Sequence, residues 1–265
     1  MMEWWKGGIV RAFLLRSQFF AGCRRAGAAA ILWVVVGVAS FAEAGGADPF
    51  SRQVAAKVAA LRDGAPAERL RAAEALGYLR AYAAEGALVR ALESDAEAPV
   101  RRNAALALGW CGGRRSLAAL VARLDDEAWT VRQAAWVALT NLTGMEHPFD
   151  ALAAAGERRR AAEVWRAWCG ALPADGLPSE VLALLASRRH DEVARGLRAA
   201  GALGAGAENV VRLAAAIAPW REVENEADAE AKWRVQAGLR ALGRSGRPEA
   251  LPALAGFLEN AQWAR

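Results

Sequence analysis

The stretch DDEAWTVRQAAWVALTNLTG, residues 125–144, sets a valine–arginine pair before a ladder of alanines and closes on a glycine. Residues 95–112, DAEAPVRRNAALALGWCG, follow the same plan. The interval between them decides the architecture. Leucines that end the second helix of each unit fall at Leu76, Leu108 and Leu139, 32 and 31 residues apart. Asp63, Asp95 and Asp126 repeat at the same intervals, and Arg69, Arg101 and Arg132 each follow their aspartate by six residues. Leu61, Leu92 and Leu124 end the preceding helices, 31 and 32 apart. Four markers holding one register define an internal repeat of about 31 residues, the signature of a solenoid.

Each unit reads as two helices. An apolar first helix such as SLAALVARLDD (116–126) leads through a short turn into a second such as TVRQAAWVALTNL (130–142). In the second helix Val131, Ala134, Ala135, Ala138 and Leu139 fall at i, i+3, i+4, i+7 and i+8, one continuous apolar stripe. The alanines let neighbouring helices come close. Asp126 and Thr130 are candidates to satisfy free amides at the helix start. Gly77 and Gly109 directly follow the terminal leucines and are expected to stop their helices in the left-handed conformation. A single pair would leave its stripe exposed, so the units must stack. The apolar fraction is 55%, much of it alanine, and the class expected is all-α: a solenoid of stacked antiparallel helix pairs.

VRRNAALALG (100–109) and VRQAAWVAL (131–139) resemble the second helix of HEAT repeats, in particular the short bacterial type named after phycobilisome lyases. Tetratricopeptide units have a similar length but expect Trp, Gly-Tyr, Phe and Pro markers that are not in register here, and the Thr-Pro-Leu-His turn of ankyrin units is missing. The resemblance is direct over about residues 55–145. It implies a ladder between neighbouring repeats in which Asp95, Arg101, Asp126 and Arg132 have a structural role.

Ahead of the repeats, Lys6, Arg11, Arg16, Arg24 and Arg25 precede AGAAAILWVVVGVASFA, an uncharged run of 17 residues (26–42), and then Ala42-Glu43-Ala44. These are the three parts of a secretory signal peptide, with cleavage expected after Ala44 and a destination in the periplasm or cell envelope. The alternative is an uncleaved anchor, the chain's sole route to a membrane, since the run lies near the lower limit for a spanning helix. FAGC, ending at Cys23, is a poor lipobox because arginines stand where its apolar stretch should be. Removing residues 1–44 lowers the formal net charge from +5 to +2, which argues against nucleic acid as a partner.

Beyond residue 145 the period is interrupted by MEHPFDALAAAGERRRAAEVWRAWCG. Trp165 and Trp168 share a helical face; they make either an aromatic platform for a sugar or peptide or a cover for the open edge of the third repeat. GALPADGLPS (170–179) is the best boundary. The expected organisation is a signal peptide over 1–44, repeats one to three over 45–145, a Trp-containing insert and linker over 146–178, and repeats four and five with a terminal helix over 179–265. Leu203 and Leu242 are the later counterparts of Leu139, 39 residues apart. Arg195 and Arg234 precede them by eight residues instead of seven, so the ladder does not carry over there.

Catalytic signals are absent from the sequence. GALGAGAEN (201–209) follows a helix instead of a strand and reads as a helix ending, and no serine sits in a nucleophile elbow. His147 and His190 stand alone, so no metal and no cofactor are expected. Cys111 and Cys169 either bridge or remain as buried thiols. The function expected is a non-enzymatic scaffold that binds a protein partner along the second helices, through Arg102, Leu106, Gln133, Trp136 and Val137. Trp136 is the sharpest candidate. The alternatives are a lyase-type or chaperone subunit handling a small ligand and a self-associating structural module.

Overall fold

The computed structural model describes residues 48–174, 176–204, 206–221 and 229–258, and the expected signal peptide lies outside them. Of the described residues, 48–52 fall in one compact unit and those from 53 to 258 in another. Asp48 opens helix α1 (Pro49–Asp63): its carboxylate accepts the amide N–H groups of Phe50 at 2.9 Å and Ser51 at 3.1 Å.

Among the described residues every regular element is helical. Helices α2 (Pro66–Tyr78), α4 (Ala98–Cys111), α6 (Trp129–Thr143), α9 (His190–Leu203) and α11 (Ala229–Ser245) pack in that order, each on the next. The first helices are α3 (Glu85–Ser94), α5 (Leu117–Ala122, extended by a 3-10 turn over Arg123–Asp125), α8 (Ser179–Leu185) and α10 (Ala207–Ile217), packed on α4, α6, α9 and α11 respectively. Helix α7 (Ala155–Gly170) lies against α5, and α12 (Leu251–Leu258) follows α11. This is an α-solenoid of helix pairs. The row of second helices runs across residues 170–179, because α9 packs directly on α6.

The repeat leucines supply the core. Leu76, Leu92, Leu108, Leu124 and Leu139 are fully buried, and so are Ala135 and Ala138 of the α6 stripe. Proline at the first turn of α2 and of α4 fits where helical N–H groups have no partner anyway.

Gly77 and Gly109 do not stop their helices, which continue to Tyr78 and Cys111. They allow close approach instead. A Cβ on Gly109 would stand 3.1 Å from the Ala138 Cα of the next second helix, one on Gly77 3.0 Å from the Ala107 Cα, and one on Gly201 2.9 Å from the Ala241 Cα. Small residues facing small residues thus set the spacing of the row. Helix α2 ends in a Schellman motif: the Ala81 N–H donates to the Leu76 carbonyl at 3.1 Å and the Arg80 N–H to the Gly77 carbonyl at 3.0 Å. Arg80 takes the left-handed position of that motif, with φ 49°, where glycine is usual.

The ladder fastens the turns. Arg69 grips Asp95 through two hydrogen bonds of 2.7 and 2.8 Å, and Arg101 grips Asp126 through two of 3.0 Å. Each aspartate also accepts an amide two residues on, from Glu97 and Ala128 respectively, both at 3.0 Å, and so shapes the entry to its second helix. The arginines reach back as well: Arg101 donates to the carbonyls of Asp95 and Ala96, and Arg132 to those of Asp126 and Glu127. At the third repeat the forward partner changes. Arg132 meets the Ala151 carbonyl at 2.8 Å, a backbone oxygen supplied by the insert.

Candidate functional site

Of the five residues expected to face a partner, Arg102 is exposed, while Leu106, Gln133, Trp136 and Val137 are half-buried. Leu106 and Trp136 pack against the core. The indole N–H of Trp136 donates to the His147 carbonyl at 2.9 Å, so the segment after α6 engages the ring and Trp136 is not a free anchor. Nor do Trp165 and Trp168 form an open platform. Trp165 is fully buried, with its ring edge-on to His147 at 4.7 Å and to Trp168 at 6.4 Å. A buried indole has no face for a sugar. The half-buried Trp168 donates its N–H to Glu180 at 3.3 Å.

Cys111 and Cys169 are free thiols. Burial pushes Cys111 up to about 12 and Cys169 up to about 11, so neither is a thiolate nucleophile at neutral pH. Among the described residues no group of three or more His, Cys, Asp or Glu could hold a metal ion, and no helix is long and apolar enough to cross a membrane. At the seam of α6 and α9, Gly144 takes φ 71°, and Arg195 donates to its carbonyl at 3.1 Å while pairing with Glu146 at 2.8 Å.

A different constellation gathers where the second helices end. The guanidinium carbon of Arg80, after α2, lies 4.9 Å from the centre of the Trp110 ring at the end of α4. That of Arg244, on α11, lies 4.9 Å from the centre of Tyr82, and its Nη2 donates to the Gly112 carbonyl. Arg198 of α9 is within electrostatic reach of Arg80 and Arg240, and Arg240 of α11 within reach of Arg80 and Tyr82. Four segments far apart in sequence thus converge. Trp110 is 49% exposed and Tyr82 37% exposed, so both residues remain in contact with water.

The electrostatics of this cluster are one-sided. Surrounding protein holds Arg198 below the ordinary arginine range, followed by the charges of Arg195, Arg240 and Arg80; the same desolvation, then Arg80, lowers Arg240. Yet both side chains are open to solvent. Among the described residues neither Arg198 nor Arg240 makes an ion pair. Glu85, a carboxylate near Arg244, is already taken: its Oε1 accepts the Gly113 N–H at 2.7 Å and the Ser116 hydroxyl at 2.6 Å. Sequence reading missed this cluster because its members lie in different repeats. One signal was available, Leu-Arg-Ala at both 197–199 and 239–241.

No curated protein matches the chain. A solved structure described as an engineered protein, a target of the Northeast Structural Genomics Consortium, is similar at 18% identity, with 77% of this chain and 85% of that chain covered and a TM-score of 0.31. The HEAT-repeat family matches residues 54–140, which hold the ladder of Arg69, Asp95, Arg101 and Asp126. Over residues 54–140, therefore, the chain is built of repeats of the HEAT type.

Proposed function

We propose that this protein is a non-enzymatic scaffold of the cell envelope that binds an extended protein partner along its second helices. HEAT repeats serve in general as protein-interaction scaffolds. The observation that carries the reading is the row α2–α4–α6–α9–α11, which leaves Arg102 and Trp110 of α4, Arg198 of α9 and Arg240 of α11 open to solvent. An export signal in the basic segment, the 17-residue run and Ala42-Glu43-Ala44 supports the envelope location.

The test is site-specific photo-cross-linking in cells with the full chain, the cross-linker standing at Arg102 or Val137 of the second-helix row or at Arg90 of α3. Adducts with one protein from positions 102 and 137, and none from 90, are the expected result. The same adducts from all three positions would remove the second-helix face from consideration. A mass equal to twice the chain would make self-association the function. Recovery of the protein from the cytoplasmic fraction with its first residues intact would overturn the location.

A further inference from the structure

The cluster of Arg80, Arg198, Arg240 and Arg244 with Tyr82 and Trp110 asks what balances its charge. Arg198 and Arg240 carry no carboxylate partner among the described residues, although the ladder arginines of the same unit are each saturated. Unpaired guanidinium groups within electrostatic reach of one another repel, and the arrangement is costly unless a ligand neutralises it.

Arg80 gives an independent indication. It is the one non-glycine residue of positive φ among the described residues, and it stands in the left-handed slot of a helix-terminating motif that glycine would fill without strain. Its side chain is thereby carried over Trp110, toward Arg198 and Arg240. A backbone outlier that holds a charge over an exposed ring and within reach of two unpaired guanidinium groups is the pattern of a binding site.

We propose that this cluster binds a carboxylate-rich extended segment of the protein partner, with Arg198 and Arg240 taking its acidic side chains and Arg80 and Arg244 held against Trp110 and Tyr82 as the walls. Guanidinium forks match carboxylates in pairs, and rings already capped by arginine offer packing to an aliphatic backbone more than stacking to a base. The scale also fits. Four guanidinium groups neutralise a short acidic run, whereas nucleic-acid binding rests on roughly 6–10 phosphate contacts. This inference rests on the scaffold reading above and names the chemistry of its partner.

The experiment is fluorescence anisotropy with the full chain, using a labelled peptide of alternating glutamate and alanine, a lysine–alanine counterpart and a single-stranded oligothymidylate. The acidic peptide alone is expected to bind, more weakly as salt rises. Arg240→Glu should weaken it by about tenfold or more, Arg80→Gly by several-fold without lowering the melting temperature, and Arg90→Glu on α3 by less than about twofold. Equal loss with Arg90→Glu, tighter binding of the oligonucleotide, or no binding of the acidic peptide would each overturn the proposal. If cross-linking from positions 102 and 137 still captures one protein while the peptide fails, the scaffold reading stands and the acidic segment falls. If both fail, the scaffold reading falls with it.

Discussion

Arg80 and Trp110 join the end of one second helix to the end of the next: the guanidinium carbon stands 4.9 Å from the indole centre, and the arginine that makes the contact carries a left-handed backbone to do so. The two effects oppose each other. The left-handed conformation costs about 1–2 kcal/mol for a residue with a Cβ, and an exposed cation–π contact returns about 0.5–1 kcal/mol. Arg80→Gly should therefore match or exceed the parent in stability by up to about 1 kcal/mol, while Arg80→Ala, which keeps the strain and loses the contact, should fall below it. Chemical denaturation of the three proteins gives the order, and an alanine variant as stable as the glycine one would refute the account.

The Arg101–Asp126 pair is the most enclosed rung, with side-chain exposures of 7% and 1%. Asp126→Ala removes both bonds of the rung and frees the Ala128 amide, leaving Arg101 only the exposed Glu127 carboxylate at 2.9 Å and the carbonyls of Asp95 and Ala96, so a loss of about 2–3 kcal/mol is expected. The Arg101→Met, Asp126→Leu double variant should recover much of that loss. A thermodynamic cycle measured by urea unfolding checks both statements; a double variant no better than Asp126→Ala would mean that the rung acts through turn geometry alone.

Acid should dissolve the ladder from within. Two hydrogen bonds from Arg69 hold Asp95 below the ordinary value of 3.8. Burial pushes Asp126 up, but the Arg101 hydrogen bonds and the Ala128 amide outweigh it, and Asp126 also ends below 3.8. Folded pKa values below unfolded ones mean a contribution fully present above about pH 4 and lost as pH falls through the folded values. The melting temperature should be level from neutral to mildly acidic pH and fall below it, less steeply in Asp126→Asn. An unchanged slope in that variant would assign the acid transition to other carboxylates.

Glycines on the second helices should separate into two kinds. Gly109→Ala sets a methyl 3.1 Å from the Ala138 Cα, a backbone atom that cannot step aside, and about 1–3 kcal/mol should be lost. Gly243, in α11, has nothing within 4 Å of its missing Cβ, so Gly243→Ala should stabilise by about 0.4–1 kcal/mol. Differential scanning calorimetry of the pair tests the distinction, and two shifts of the same sign would contradict it.

The period of leucines, aspartates and arginines reveals the helix pairs and the rungs because each marker acts within its own repeat or on the next. Gly109 misleads when read alone, since its neighbour Ala138 lies on the following helix and turns a helix stop into a contact. Trp136 looks free in a helical projection because its hydrogen-bond partner, the carbonyl of His147, is in an irregular segment without period. The arginine cluster is the extreme case. Arg80 and Arg240 are brought together by the accumulated rotation of several helix pairs, a quantity that no local pattern encodes.

The bond from Arg244 to the Gly112 carbonyl crosses 132 positions of sequence. A stack fastened only between neighbours behaves as a spring whose ends fray independently, whereas a clasp between its late and early turns makes the length between them yield together. Folding then waits on a distant encounter instead of spreading from a local seed, which slows the last step and sharpens the transition. Drawn from its ends, such a chain would hold to a threshold force and then give way in one large step, not repeat by repeat.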